Sequence, residues 1–224
     1  QRMSRGLGDV YKRQALGSGP CRALAGKEDI FKDIGYKDKF FSTVVVLEVD
    51  QKPPQEIIDK VVTDCDISEK NLTVILTPTR SLCGTTQVVG RVLEVGLHKV
   101  HELGFPIDKV VDGFGSAPLP PPAPDFLIGM GRTNDAILYG GLVHLYVDTP
   151  NDDAEELAKR LPSSTSKDYG KPFADIFKEY KYDFYQIDKM LFSPAKVIVS
   201  SLKTGKSYTS GNIDLSLMDN SFNK

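Results

Sequence analysis

Two side chains three positions apart, Arg91 and Glu94, belong to a stretch, residues 84–104, whose apolar residues recur with the period of a helix. A helical wheel places several polar side chains within about a quarter turn of Glu94. They are Gln87, Arg91, His98, His101 and Glu102. Carboxylate and imidazole groups accept protons and guanidinium groups bind anions, so this stripe is a candidate for chemistry. The alternative is an ordinary solvent-facing stripe on an amphipathic helix.

Two glycines argue against the solvent-facing alternative. Gly90 and Gly96 interrupt the pattern, and glycine inside a helix costs about 1 kcal/mol relative to alanine. We therefore expect another element to approach this helix closely. Arg91 also precedes Glu94, which is the less favourable order for a surface ion pair relative to the helix dipole.

A second candidate is the segment GMGRTNDAILYGG, residues 129–141. Its small residues permit close backbone approach, and Arg132 could hold a carboxylate or phosphate with two hydrogen bonds. The segment is neither a GxGxxG nor a Walker loop. Alternatively it begins a helix, with Thr133, Asn134 or Asp135 capping the free backbone amides.

The histidines and cysteines point less clearly to chemistry. His98 and His101 could ligate a metal from one helical face, but HExxH, PCxxC and the GxSxG nucleophile motif are all missing from the sequence. The three cysteines are widely spaced without a CxxC pair, which favours reduced, mostly buried thiols in a cytoplasmic protein. A catalytic role for one of them stays open.

Composition is that of an ordinary globular protein. The chain has 224 residues, 40% hydrophobic and 26% charged, with a net charge of -2. That charge creates no general attraction for nucleic acid or an anionic membrane. The longest apolar stretch falls far short of the roughly 20 residues that cross a bilayer. We therefore expect no nucleic-acid or membrane partner.

The first fourteen residues, QRMSRGLGDVYKRQ, differ in character from the rest of the chain. They lack the apolar segment of a signal peptide. We interpret residues 1–14 as a non-native leader that resembles translated adaptor sequence, which would mean that the natural protein begins earlier. The alternative is a genuine flexible terminus.

Strand and helix patterns alternate along the remaining residues. Strands are predicted at residues 40–50, 71–77, 141–149 and 196–202, and helices from residue 55, over 84–104, from Asn151 or Asp152, and over 172–190. The strand-helix segments beginning VVVLEVD and LVHLYVD resemble each other, a weak indication of two similar layers. We predict an α+β, mixed α/β fold of layered sheets and helices, with parts 15–125 and 126–224 and a cleft between them.

The segment DGFGSAPLPPPAPD, residues 112–125, is predicted to be a loop. Its five prolines remove backbone donors and favour an extended path. It could be a domain connector, or a stiff wall of a ligand cleft.

Four ordered blocks together resemble the methenyltetrahydromethanopterin cyclohydrolases. They are GSGPCRALAGKE (17–28), TPTRSLCGTTQVVGRVLEVGLHKVHELGF (77–105), DGFGSAPLPPPAPDF (112–126) and MGRTNDAILYGG (130–141). The proline-rich loop and the last block look closest to the form in bacteria that oxidise one-carbon compounds. The analogous folate enzymes would need a glycine fingerprint for dinucleotides, which the sequence lacks.

The resemblance implies a function and a site. Members hydrolyse the methenyl group of the pterin carrier to the 5-formyl form with water, without a metal or redox cofactor, and form homotrimers. Arg91-Val92-Leu93-Glu94 matches the family's Arg-x-x-Glu pair, which implies that Glu94 activates water and Arg91 positions it. The implied substrate-binding residues are Ser18, Gln87, Arg132, Thr133, Asn134 and Asp135. The alternative is a truncated, non-catalytic pterin-binding fragment.

Overall fold

The computed structural model describes residues 16–223, and the predicted leader lies outside them. The chain forms two compact units that divide between Thr79 and Arg80. The sequence-based division falls after Asp125 instead. The difference arises because the helix Leu82–Val89 packs against the helix Phe126–Leu138 and the helix Val92–Glu102 packs against the second sheet. Residues 80–125 therefore belong to the second unit.

Over its described residues, 16–79, the first unit contains a small three-stranded sheet and three helices. Its elements are β1 (Gly17–Ser18), α1 (Cys21–Ala25), α2 (Asp29–Asp33), β2 (Thr43–Leu47), α3 (Gln55–Cys65) and β3 (Leu72–Leu76). Strand β2 alternates between buried and half-buried residues, as expected for a strand with one face on a core. That core includes Val45, Leu47, Val61 and Cys65.

The second unit contains a four-stranded sheet and six described helices. Its elements are α4 (Leu82–Val89), α5 (Val92–Glu102), β4 (Val110–Ser116), α6 (Phe126–Leu138), β5 (Leu142–Val147), α7 (Asn151–Arg160), α8 (Phe173–Glu179), β6 (Lys196–Ser201), β7 (Ser207–Gly211) and α9 (Leu215–Phe222). The predicted α+β, mixed fold class is confirmed.

The two sheets share one strand pattern. β1 is antiparallel to β2, which is parallel to β3; β4 is antiparallel to β5, which is parallel to β6. Strand β7 then adds an antiparallel edge. A helix follows both β2 and β5, the strands whose sequences resemble each other. The common topology supports the indication of two similar layers.

Helix α5 lies on the second sheet with its backbone close to the strands. A Cβ added at Gly96 would stand 3.4 Å from Val143 of β5, and one at Gly115 would stand 2.9 Å from Val92. A Cβ at Gly113 would meet Leu93 at 3.2 Å. Small residues on both surfaces therefore bring helix and sheet together, and the close approach predicted at Gly96 is confirmed.

The single long helix predicted over residues 84–104 is wrong. Two helices, α4 and α5, meet at a break formed by Gly90 and Arg91. Arg91 has φ −91° and ψ 17°, outside the helical region. Periodicity missed the break because the apolar faces of α4 and α5 are continuous in sequence. Gln87 therefore does not share a helix with Glu94.

Two other predictions need correction. Strand β4 occupies the first part of the expected loop, and only residues 117–125 run without helix or strand. The aromatic segment predicted as a helix over 172–190 contains the short α8, followed by two 3₁₀ turns at Phe184–Gln186 and Lys189–Leu191. Lys181 and Tyr182, with positive φ values of 53° and 62°, interrupt the helix between α8 and the first of these turns.

Lys99 of α5 is fully buried, although nothing in the sequence distinguished it. Its Nζ donates to the Pro162 carbonyl oxygen at 2.7 Å and to Thr165 Oγ1 at 2.7 Å. Burial lowers the pKa of Lys99 to about 8, and the nearby Asp188 carboxylate only partly offsets that effect. Lys99 thus ties α5 to the 3₁₀ turn Ser163–Thr165.

No helix among the described residues is long and apolar enough to span a bilayer.

We predict that Gly211→Ala destabilises the protein far more than Gly205→Ala. Both glycines have positive φ, 75° and 73°, which costs alanine about 1 kcal/mol or somewhat more. A Cβ at Gly211 would also meet the Ala195 carbonyl oxygen at 2.1 Å, whereas nothing lies within 4 Å at Gly205. Urea unfolding should show that Gly211→Ala lowers the free energy of unfolding by roughly 2 kcal/mol more than Gly205→Ala does. Equal losses would contradict this packing.

Burial of Lys99 predicts that stability rises with pH. Between about pH 8, its folded pKa, and about pH 10.5, the ordinary lysine value, the unfolded chain holds more protons at this site than the folded chain. The free energy of unfolding should therefore increase over this window by roughly 3 kcal/mol. Urea titrations of the wild type and Lys99→Met isolate this contribution as a difference. Parallel pH curves for the two proteins would refute it.

Candidate active site

At the junction of the two helices, Arg91 lies just after the C-terminal end of α4 and Glu94 lies in the first turn of α5. Arg91 precedes the first residue of α5, and its Nε donates to the Gln87 carbonyl oxygen of α4 at 3.2 Å. A cation is favoured at the C-terminal end of α4. Glu94 lies in the first turn of α5, where the helix dipole favours an anion. The helix break therefore gives Glu94 a favourable position in a first turn, whereas Arg91 both follows the C-terminal end of α4 and precedes the N-terminal end of α5.

Glu94 is exposed and lines a groove of about 320 Å³ on the second unit. One side of the groove is α5 and the other is the segment that contains the two 3₁₀ turns. The lining residues are Glu94, Val95, His98, Phe184, Tyr185, Ile187, Lys189 and Phe192. The lining is mainly apolar and aromatic, with a few polar side chains, as is common in small-molecule sites.

Two polar contacts lie beside the groove. Lys189 Nζ contacts Glu102 Oε1 at 3.3 Å, which links the 3₁₀ segment to α5. His98 Nε2 lies 3.7 Å from the same Glu102 oxygen. Burial lowers the pKa of His98, although the Glu102 carboxylate acts in the opposite direction. His98 is therefore mainly neutral at pH 7 and can accept or donate a hydrogen bond.

Hydrogen bonds accepted by the carboxylates of two aspartates hold the aromatic wall of the groove. Asp188 Oδ2 accepts from the Ser166 hydroxyl at 2.7 Å, and the Asp188 amide donates to Asp168 Oδ2 at 2.9 Å. Burial would raise the pKa of Asp188, but the bonds from Ser166 and from the Met190 amide lower it below its ordinary value. Tyr180 also donates to Asp168. The network fixes the backbone between Ile187 and Met190, and so orients the groove wall.

Arg132 lies away from this groove lining and holds the proline-rich loop. Its Nη1 donates to the carbonyl oxygens of Pro122 at 2.7 Å and Pro121 at 3.3 Å. The side chain is only 8% exposed. The backbone carbonyls of the prolines are thus acceptors for this arginine, and the loop is positioned by α6.

Thr133, Asn134 and Asp135 lie inside α6, so the alternative in which they begin a helix is wrong. Asp125 caps α6 instead, accepting from the Ile128 amide at 2.9 Å. Thr133 and Asn134 donate to the Met130 carbonyl oxygen of the preceding turn. The fully buried Asp135 accepts from the Phe173 amide at 2.8 Å and so caps α8.

The remaining predicted residues are dispersed. Gln87 is half-buried on α4, and Ser18 is buried in β1 of the first unit, where its carbonyl oxygen accepts from Cys21 Sγ. Cys21 and Cys65 are buried, whereas Cys83 is exposed. Within residues 16–223, no group of three histidine, cysteine or acidic side chains is arranged to hold a metal ion.

Sequence reasoning missed the groove wall formed by Phe184, Tyr185 and Phe192. The aromatic richness of this segment was visible, but its assignment to one helix hid the surface that it forms. The useful signal was the run of Tyr and Asp residues after α8, which favours turns over a continuous helix. Chemically, the groove offers an acceptor carboxylate beside aromatic surfaces, which suits a planar ligand carrying positive charge.

Comparisons with known proteins identify the family. A family model described as Cyclohydrolase (MCH) matches residues 8–222, starting within the predicted leader. The chain is 61% identical over 208 residues to the methenyltetrahydromethanopterin cyclohydrolase of Methylobacillus flagellatus, covering 93% of the chain and 64% of that protein. The enzymes of the same name from Methylosinus trichosporium and Methanothermobacter marburgensis are 53% and 45% identical.

Those two alignments cover 93% and 96% of this chain and 80% and 68% of the respective relatives. The chain spans 64% of the length of the Methylobacillus relative and 63% of the similarly named Xanthobacter autotrophicus protein. The match extends through the groove segment and the Arg91-x-x-Glu94 junction alike. The chain therefore belongs to the cyclohydrolase (MCH) family.

Proposed function

We propose that this protein hydrolyses 5,10-methenyltetrahydromethanopterin to 5-formyltetrahydromethanopterin in one-carbon metabolism. The names of its relatives support the reaction, since several are named for this activity and match most of the present chain. The observation that carries the proposal is the position of Glu94, in the first turn of α5 and on the lining of an aromatic groove.

The substrate's electrophile explains why a carboxylate suffices. The methenyl carbon lies between two nitrogens as an amidinium-like cation, so it is already electrophilic. Glu94 attracts the cation, orients a water molecule and accepts its proton as the oxygen bonds to carbon. The carbon–N10 bond then breaks, N10 takes a proton and the carbonyl remains on N5. The net change consumes one water and releases one proton.

Arg91 would position Glu94 and the water. Its Nε bond to the carbonyl of Gln87 holds the guanidinium at the junction from which α5 begins. Removing the guanidinium should affect the reaction more than ground-state binding.

The other predicted residues would contribute mainly through the elements they hold. We propose that Arg132 acts on the anionic tail of the carrier together with the proline-rich loop that it positions. Thr133, Asn134 and Asp135 stabilise α6 and α8 through their hydrogen bonds, and Gln87 supplies the carbonyl acceptor for Arg91. Ser18 is a further proposed substrate contact, as its place in a matching block implies.

We propose that the reaction needs no metal or redox cofactor, because the substrate cation requires no Lewis acid. We further propose a homotrimer in the cytoplasm, with the pterin as the partner. The coverage of 64% of a relative's length motivates a second candidate, a non-catalytic pterin-binding fragment.

Glu94→Gln should lower the rate of hydrolysis roughly 100-fold or more, because the amide cannot accept the proton of water. The assay follows loss of the ultraviolet absorbance of the methenyl group. Glu156→Gln, at an exposed glutamate of α7, is the matched control and should leave turnover unchanged. Full activity of Glu94→Gln would refute the mechanism. A wild-type chain that melts cooperatively but shows no turnover would instead support the second candidate, the non-catalytic pterin-binding fragment.

Arg91→Ala should lower kcat by about 100-fold, with a much smaller change in KM, because it acts on positioning in the transition state. Arg91→Lys retains the charge but loses the Nε donor to Gln87 and should recover only part of the rate. Thermal melting of both variants separates lost helix capping from lost catalysis. A raised KM with unchanged kcat would show that Arg91 serves substrate binding alone.

A further inference from the structure

The outer edge of strand β3 is open in the first sheet. Over the described residues the order of that sheet is β1-β2-β3, so no described strand pairs with β3 on the side away from β2. The second sheet has the order β4-β5-β6-β7, and β7 runs antiparallel along the corresponding edge of β6. Because the two sheets otherwise share one strand pattern, β3 holds the position of β6 without the neighbour that β6 has.

Burial of the core-facing side chains differs between the two strands in the same sense. Val197 and Val199 of β6 belong to the core of the second unit and are each 0% exposed, and Tyr208 of β7 packs against that core. The core-facing side chains of β3 contact the core of the first unit but remain half-buried. They are Leu72, Val74 and Leu76. One side of this core therefore lacks the cover that β7 provides in the second unit.

The edge of β3 also lacks the features that usually block an exposed strand. Proteins block such edges with charged residues, prolines, bulges or very short strands. The sequence of β3, LTVIL, contains no charge, proline or glycine, and Ile75 is 43% exposed. By contrast, β1 has only two residues, and β4 shifts register between Val110 and Asp112. A regular, apolar edge of this kind is a template for an added strand.

The backbone of β3 determines which groups an added strand would bind. The Thr77 amide, just after β3, donates to the Leu47 carbonyl oxygen of β2 at 2.8 Å. Successive residues of a strand turn their amides to opposite sides, so the Ile75 amide points to β2 and those of Val74 and Leu76 point to the outer edge. An added strand would accept hydrogen bonds from these two amides.

We propose that the outer edge of β3 is the docking site for one further strand, antiparallel to β3 and with apolar side chains at alternate positions. The relatives have chain that can supply it. The match to the Methylobacillus flagellatus enzyme covers 64% of that protein, so more than a third of its length lies outside the match. The strand belongs to this additional part and covers the core beside Val74 as Tyr208 covers the core of the second unit. The inference does not depend on the proposed reaction.

Amide hydrogen exchange tests the docking site directly. In the chain alone, the Val74 and Leu76 amides should exchange fast and the Ile75 amide slowly, because only Ile75 donates to β2. The probe is the additional part of the Methylobacillus relative, added as a separate polypeptide and as overlapping synthetic peptides. It should slow exchange at Val74 and Leu76 roughly 100-fold or more and leave Ile75 little changed. Unchanged exchange at Val74 and Leu76 with both forms of the probe would overturn the proposal.

A proline at the edge distinguishes strand addition from other modes of binding. Val74→Pro removes an edge-facing amide but no hydrogen bond to β2, and proline is tolerated at such positions; thermal melting checks that the fold is kept. Affinity for the probe should fall at least about 10-fold. Val74→Thr keeps the amide and is the matched control, with affinity close to that of the wild type. Equal affinities of the two variants would contradict strand addition. Dimerisation of the chain alone that Val74→Pro abolishes would show that a second copy supplies the strand, and would overturn the assignment.

Discussion

Close packing of α5 on the second sheet is the constraint on which the candidate site depends. Gly96 faces Val143 of β5, and Gly113 and Gly115 of β4 leave room for the first turn of the helix. A Cβ at Gly115 would stand 2.9 Å from Val92 of α5, and one at Gly113 would stand 3.2 Å from Leu93, so larger residues in β4 would push the helix away from the sheet. Because the first turn carries Glu94, the glycines of a strand set the position of a carboxylate on a helix.

The break before α5 has a matching electrostatic consequence. Within one continuous helix, Arg91 ahead of Glu94 would be the less favourable order. Once the helix divides at Gly90, Glu94 lies in a first turn, where the dipole of α5 stabilises its charge, and Arg91 lies at the junction, bonded to the Gln87 carbonyl oxygen of α4. The short sequence Arg-x-x-Glu therefore spans the junction between two helices, and its spacing places both side chains near the start of α5.

The groove shows how polar interactions can shape an apolar surface. Neither Asp168 nor Asp188 belongs to the groove lining, yet their hydrogen bonds determine where Phe184, Tyr185 and Phe192 can stand. On the side of the groove formed by α5, Lys99 holds the helix through its hydrogen bonds to Pro162 and Thr165, and burial lowers the pKa of Lys99. These half-buried hydrogen bonds are best satisfied in one arrangement of the backbone, which favours that arrangement of the wall over others.

The sequence by itself determined the fold class, most strand positions and the Arg91 and Glu94 pair, because these follow from local periodicity and from a motif contained in four residues. It could not locate the break at Gly90, since a change of helix direction depends on what the two apolar faces pack against. Nor could it show that Arg132 binds the loop carbonyls or that residues 184–192 face α5. Those are contacts between segments distant along the chain, and only tertiary packing brings them within hydrogen-bonding or stacking distance.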